Sequence, residues 1–541
     1  MSDTLTPTSP TTTLSDPGAP VFMSEPVAPV PTPETHLYMP HPKKIYLVDG
    51  TDTIMALALV VFGYLAWSWI CPAQTSVTSV SYPGIAFTLY ICAALAASMV
   101  YFRVRRVALN KPAIIGAAIL VFSALPFALY DTTPVHFFAW AFVTVGYVVW
   151  HAYAAGTAIS PIPGALTAAD VLNQAVVVPA SNAGSWAAAL KGLLRGKKSM
   201  TQFIVAVVGV AVALPVIVLV VSLLTDADDN FNSWVDQVGH SIADFDVWGF
   251  LWKFCLAIPV AIYLFSLMYG NAHRMGTESI THERAARWSG AARKIAVAAV
   301  ATPTAILCMI YIMFFSAMGS SLFGAFTGTL PAEKTYADFA RQGFFQLAIV
   351  AGINLAVLGF AYLFAKREET YPRSLRVIGT ILSALTILLV VTAMSKMILY
   401  IDQYGLTRLR VYTLWFMGVL FIVFLLVGAW HVRRFRVDIP LLLVVLVSFI
   451  GLTWANTDGL IADYNVHQYL NGNMDFVDIW YLQNNLSDAA VPALIDLKEN
   501  TSDVSVYNQA EIALQARLTS GDVATWTSWN WQTSHMGHLL R

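Results

Sequence analysis

From Thr53 to Ala455 the apolar residues gather into long runs separated by short polar connections, with little of the polar interleaving of a soluble helix. A run of about 20 residues crosses a hydrocarbon core of about 30 Å as a helix. Eleven such runs can be marked. They are Thr53–Cys71, Tyr82–Phe102, Pro112–Tyr130, Phe137–Ile159, Phe203–Leu224, Val247–Tyr269, Ile295–Met318, Phe344–Ala365, Val377–Leu399, Val411–Trp430 and Ile439–Ala455, the last being the shortest. Lipid offers no partner to an unpaired backbone group, so the runs must be helices, and none alternates like a barrel strand. The pattern predicts an all-α, polytopic transmembrane bundle of about 11 spans with a small C-terminal helical soluble domain.

The flanks differ. Residues 1–42 hold ten of the 25 prolines, many Ser and Thr, and no Lys or Arg. Such a stretch buries too little to offset its ordering entropy and is expected to be a disordered cytoplasmic tail. It lacks the basic and apolar regions of a secretory signal. Residues 43–455 form the expected transmembrane domain and 456–541 a small extracytoplasmic helical domain. There Ile512, Leu514 and Leu518 predict a helix stopping at Gly521, and Trp526, Trp529 and Trp531 an aromatic cluster that packs a small core or rests at the headgroup level.

Composition excludes other classes. The chain is 57 % apolar and 12 % charged, with a net charge of −1; a soluble domain carries about 25 % charged residues. A soluble enzyme, a disordered chain and a nucleic-acid binder are excluded, and the lipid bilayer is the first partner.

Charge also orients the chain. Twenty-two of its 31 basic residues fall before the first run or after the second, fourth, sixth, eighth and tenth. The alternate connections carry only Lys334, Arg341, Arg408 and Arg410. The N-terminus is therefore expected to be cytoplasmic. An odd number of spans puts the C-terminal domain outside; a missed or false span reverses that side. Two connections read as helices on the membrane surface: Trp186, Leu190, Leu193 and Leu194 beside Lys191 and Arg195, and Phe231, Trp234, Val235, Val238 and Ile242 opposite aspartates.

Catalytic chemistry is not visible. Cys71, Cys92, Cys255 and Cys308 stand singly, and His535 with His538 is too little for a metal. No P-loop, G-x-S-x-G or H-E-x-x-H motif occurs, and no paired carboxylates enter a span. No enzyme activity, cofactor or metal is expected. Pro126, Pro215, Pro259 and Pro303 lie within spans, where they can break helices near a midplane site, and keep a transporter or lipid-handling protein as the alternative.

One connection is unusual. Tyr400-Ile-Asp402-Gln-Tyr404-Gly-Leu-Thr-Arg408-Leu-Arg410 crowds two arginines, with Lys396 just before them, against the inside bias of the other loops. Thr407 can cap a helix starting near Arg408, and such a terminus attracts anions. A lipid phosphate, a ligand carboxylate or internal acids can fill that role, with Asp402, Asp463, Asp475 and Asp478 as internal candidates.

This turn resembles the signature of a bacterial multi-pass family known only as a domain of unknown function. Tyr336-Ala-Asp-Phe-Ala-Arg341-Gln-Gly-Phe-Phe and Ile461-Ala-Asp463-Tyr464-Asn-Val-His resemble two further segments of it, so the likeness covers roughly Leu330 to the C-terminus. Phe339 stands where the family pattern has Tyr. The resemblance implies a bacterial cytoplasmic membrane and no established activity. With the expected topology all three stretches lie at the outer face, where Arg341, Asp338, Lys396, Arg408, Arg410, Asp463 and Tyr464 are expected to converge. The function expected is a non-enzymatic membrane protein whose outer-face charged site binds an envelope ligand, a lipid headgroup or a partner protein.

Overall fold

The computed structural model describes residues 45–70, 73–74, 80–81, 83–131, 133–160, 164, 166–194, 220, 223–224, 247–281, 283–284, 287, 290–291, 293–327, 336–366, 371–519 and 526–539. The N-terminal tail, the stripe from Phe231 to Ile242, and all of the run Phe203–Leu224 except Val220, Leu223 and Leu224 lie outside the described residues. The chain divides into Met1–Tyr46 and Leu47–Arg541, and every helix among the described residues belongs to the second unit.

Nine helices among the described residues are long and apolar enough to cross a membrane, or ten if one bent pair is a single span. The first five such spans involve α1 (Gly50–Leu65, continued by a π-turn to Ile70), α2 (Ile85–Val104), α3 with α4 (Lys111–Ala124, Pro126–Leu129), α5 (Thr133–Ala155) and, further on, α9 (Val247–Ala272). Between α5 and α9 come the short α6 (Thr167–Leu172), α7 (Val178–Asn182) and α8 (Gly184–Leu194). Then follow α10 (Val297–Thr327), α11 (Tyr336–Phe364), α12 (Arg373–Tyr404) and α13 (Arg408–Val432). The helix α14 (Asp438–Trp454) has 17 residues, about 25 Å at 1.5 Å per residue. It passes as a span only together with α15 (Thr457–Leu470), from which it bends by 63° at left-handed Asn456 (φ +43°). The chain ends in α16 (Ile479–Asn484), α17 (Val491–Asn500), α18 (Val504–Thr519) and α19 (Trp531–Leu539). A two-residue antiparallel ladder, Ala73–Gln74 with Val80–Ser81, joins α1 to α2.

Lipid tails are as apolar as leucine, so burial alone does not hold such helices together; close approach and interhelical hydrogen bonds do. Gly63 lets α1 meet α9, since a Cβ there would lie 2.3 Å from the Ala257 carbonyl. Trp67 Nε1 donates to the Leu256 carbonyl at 2.9 Å and Tyr269 Oη to that of Leu47 at 3.0 Å, so the two helices run antiparallel. A second group centres on α12, whose Leu382, Leu389, Val390 and Ala393 are buried among α10, α11 and α13. A polar chain ties three of these helices: Tyr311 Oη donates to Asn354 Oδ1 at 2.7 Å and Asn354 Nδ2 to Thr386 Oγ1 at 2.9 Å. Large apolar side chains such as Ile54, Met313 and Val447 remain exposed, as a lipid-facing surface requires.

The surface helix expected around Trp186 is present as α8, but the two described side chains of its apolar stripe are covered by protein, those of Leu193 and Leu194 lying outside the described residues. Trp186 and Leu190 are buried, with Trp186 Nε1 on the Ala56 carbonyl at 3.2 Å, and Thr53 Oγ1 donates to the Ala189 carbonyl at 2.8 Å. The stripe faces α1 rather than lipid because the first turns of α1 offer it both apolar surface and hydrogen-bonding partners.

Arg105, Arg274 and Arg376 mark one end of the bundle, called here the basic end. There Asp49 and Asp52 form a capping box on α1, and Arg105 donates to Asp49 Oδ2 at 2.7 Å and Oδ1 at 2.6 Å. Arg105 also pairs with fully buried Asp52, which accepts from Tyr101 Oη at 2.7 Å. The Arg105 bond, with help from the backbone amides of the cap, holds the Asp49 carboxyl down at about 2. A depressed carboxyl stabilises the fold above its unfolded value and loses that contribution as pH falls through its folded value. The cap should therefore weaken between about pH 4 and pH 2. Asp49→Asn should flatten that limb of an unfolding-midpoint profile; an unchanged profile would discount the pair.

At the opposite end the C-terminal helices rest on the bundle. The first N–H groups of α2 have no side-chain cap. Instead Gly84 and Ile85 donate to the carbonyls of Thr527 and Trp529, both at 2.8 Å. Trp526 meets Trp69 edge-on at 4.8 Å, and Trp454 stacks on Phe122 at 4.5 Å. The helix expected near Ile512 is α18, but it buries Ala510, Ala513 and Leu514 while Ile512 and Leu518 stay exposed.

Candidate functional site: the Arg408–Arg410 turn

The turn begins where α12 ends. Gly405 has φ +72° and ψ −178°, a backbone region that only glycine occupies without strain, and its N–H closes the helix on the Ile401 carbonyl at 2.7 Å. The next residue is clamped: Asn465 of α15 accepts the Leu406 N–H at 2.6 Å and donates to the Leu406 carbonyl at 2.9 Å. Thr407 then caps α13, accepting from the Arg410 N–H at 3.4 Å. The chain is thus tied to α15 just before it re-enters the bundle.

The two arginines have different roles. Arg408 Nε donates to Asp458 Oδ1 at 2.7 Å, and Arg408 Nη2 bonds the other carboxylate oxygen. Asp458 is fully buried and also accepts the Ser487 N–H at 2.9 Å. The Tyr481 hydroxyl accepts the Arg408 N–H at 2.8 Å. Burial pushes the Tyr481 phenol above its ordinary range, against the pull of Arg408. Arg408 is therefore a clip joining α13 to α15, α16 and the residues after it.

Arg410 forms no ion pair among the described residues. Its guanidinium bonds the carbonyls of Tyr404 (2.8 Å) and Gly405 and lies over the Tyr400 ring, 4.1 Å from its centroid. Tyr400 in turn packs against Tyr404, with ring centroids 5.2 Å apart. A cation bound only by carbonyls and a π-face keeps its full positive charge. It keeps it at the amino end of α13, where the helix dipole is also positive.

Of the other expected residues, Lys396 is buried two turns before Tyr404 on α12, and Tyr464, like Tyr400 and Leu406, is a partly buried side chain packed against the core around α12. Asp402 is exposed. Asp463 faces outward and meets His467 at 3.2 Å; Asp475 is exposed, and Asp478 caps α16 through the Tyr481 N–H at 2.9 Å. The partner of Arg408 is thus none of the four acids expected. Arg341 lies on α11, and its side chain and that of Asp338 fall outside the described residues. Asp458, Asn465, Tyr481 and Ser487 were missed. Asp458 and Asn465 share one stripe of α15 with buried Ile461, Ala462 and Val466, and polar residues within an apolar stripe are the signal that marks them.

Asp131, just beyond α4, belongs to the same electrostatic neighbourhood. Desolvation, reinforced by the charges of Asp488 and Asp458 and opposed by Arg408 and Arg517, raises its carboxyl to about 6. A carboxyl raised above its unfolded value destabilises the fold progressively as pH climbs from about 4 to 6. Asp131→Asn should then raise the unfolding midpoint at pH 7 and leave it unchanged at pH 4; a lower midpoint at pH 7 would refute the sign.

The described residues hold no cluster of three metal-ligating side chains. Long apolar helices, buried interhelical polar links and lipid-facing apolar side chains define an integral, multi-pass helical membrane protein. The chain belongs to the family described as a domain of unknown function (DUF4153), whose model matches residues 116–497. That match starts well before Leu330, where the sequence resemblance began, and stops short of the C-terminus; it takes in most of α3, all of α4 to α16 and the first seven residues of α17. No curated protein and no solved structure matches the chain.

Proposed function

We propose that the protein is a non-enzymatic component of a bacterial cytoplasmic membrane whose Arg410 turn, at the outer face, binds an anionic lipid headgroup or envelope ligand. The observation that carries this reading is the uncompensated charge of Arg410 beside the paired Arg408. The Arg408–Asp458 clip supplies the rigid frame. Arg410, Lys396 and the amino end of α13 supply positive potential, and Asp402 and Gln403 in the last turn of α12 are exposed. The N-terminus is cytoplasmic in this reading, and the Asn456–Arg541 segment is extracytoplasmic. An envelope protein bearing a carboxylate is a further ligand class for the same cation.

Reconstitution in nanodiscs of mixed anionic and zwitterionic lipid tests it. Wild type should enrich the anionic lipid in its annulus, and Arg410→Gln, which keeps donors for the two carbonyls, should lose that enrichment without losing thermal stability. Equal enrichment by both would reject the site. The transporter alternative draws on Pro126, Pro259 and Pro303 within spans; uptake of a labelled solute into proteoliposomes would favour it.

A further inference from the structure

The basic end carries a cavity of about 210 Å³, lined among others by Thr157, Arg274, Thr277, Glu278 and Thr281. Two spans finish at it in the same way. After α5 the Thr157 N–H reaches back to the Ala152 carbonyl at 2.8 Å around left-handed Gly156 (φ +67°). After α9 the Met275 N–H reaches the Gly270 carbonyl at 2.8 Å, and the left-handed residue is Arg274 (φ +53°), where glycine is usual. Both helices therefore turn their negative dipole ends toward the cavity.

Arg274 and Glu278 are exposed on this cavity, carry opposite charges and form no ion pair with each other. Four residues apart on a helix they would pair. The left-handed Arg274 and Gly276 (φ +76°) break that geometry and leave both charges open to a guest. The wall behind is built of buried amides. Thr157 Oγ1 donates to Asn271, Asn271 Nδ2 to Gln174 Oε1 at 2.7 Å, and Asn173 Nδ2 to the Thr277 carbonyl at 3.3 Å. Asn173 and Gln174 open a π-turn (Asn173–Val177) and are fully buried, yet Asn173 Oδ1 and Gln174 Nε2 have no partner. Buried polar atoms are almost always paired, and π-turns concentrate at functional sites. Fully buried Asp170 adds a carboxylate behind the cavity, accepting the N–H of lining residue Ile159 at 2.7 Å.

We propose that this cavity binds a small zwitterion carrying a phosphate and an ammonium. The phosphate sits on Arg274 and the hydroxyls of Thr277 and Thr281, since the Thr157 hydroxyl is already donated to Asn271. The ammonium sits on Glu278 at the carboxyl ends of α5 and α9. The site lies where two spans end, at headgroup depth, so the guest is either the head of an aminophospholipid or a free phosphorylated amine of the same chemistry.

Native mass spectrometry of the full chain, offered phosphatidylethanolamine and phosphatidylglycerol with identical acyl chains, reads the answer. Wild type should retain the zwitterionic lipid about tenfold better, the worth of one charge-assisted hydrogen bond. Arg274→Gly, which also relieves the left-handed residue, should lower retention of both lipids, and Glu278→Gln should abolish the preference between them, each in a protein no less stable than wild type. A separate arm with ethanolamine phosphate assigns the source: binding there identifies the free amine, and lipid retention without it identifies the headgroup. No preference in wild type together with no ethanolamine phosphate bound overturns the proposal. So does a preference that survives Glu278→Gln, retention of both lipids undiminished in Arg274→Gly, or a preference lost in Arg410→Gln, which would place the lipid at the other end of the bundle.

Discussion

Arg408→Ala should cost the protein about 3–5 kcal/mol, the usual penalty for leaving a buried charge without its partner. Asp458 is fully buried and its two oxygens are bound by Arg408 and the Ser487 N–H, so the variant strands a carboxylate where water cannot reach it. The loss should fall first on the C-terminal helices, because the clip joins α13 to α15 and to Ser487. Limited proteolysis between Asn471 and Asp503 should therefore accelerate before the membrane helices melt. A double variant, Arg408→Met with Asp458→Asn, removes both charges and should recover most of the stability, since an absent pair is far cheaper than a broken one. If the single variant costs less than about 1 kcal/mol, in the range of exposed pairs, the clip is not structural.

Gly405→Ala has the second-largest expected effect. The residue's φ of +72° with ψ of −178° strains any side chain by about 1–3 kcal/mol. An added Cβ would also lie 2.5 Å from Asn465 Oδ1, the atom that accepts the Leu406 N–H. The two contributions can be separated. Asn465→Ala alone removes the clamp, and Gly405→Ala/Asn465→Ala relieves the clash while keeping the backbone strain. The double variant should thus lose less than the two singles added together, as measured by thermal unfolding in detergent. Strict additivity would mean that Asn465 does not crowd Gly405.

The spans were legible because about 20 apolar residues in a row have few other physical outcomes. Nine runs correspond to long helical spans, one of them α3 with α4, and Ile439–Ala455 corresponds to the short α14, which bends at Asn456. Thr407 as a helix cap was legible for a similarly local reason: its side chain acts on the backbone just after it. Asp458 was not, because an acid in the first turn of a polar helix reads as a dipole-favoured surface residue until its stripe is known to be buried. The face of α8 was misassigned because amphipathicity gives the direction of an apolar stripe but not what covers it. The docking of Thr527 and Trp529 on α2 uses backbone carbonyls, which every residue has; its only trace was a helix start, Pro83-Gly84, with no Ser, Thr, Asp or Asn to cap it.

The most direct test of the proposed Arg410 site is native mass spectrometry of the gently solubilised protein, wild type beside Arg410→Gln. The account predicts a bound anionic lipid or small molecule on wild type and its absence from an Arg410→Gln protein that unfolds at the same temperature. Retention of that anionic mass by Arg410→Gln as well, or its absence from wild type, would contradict it.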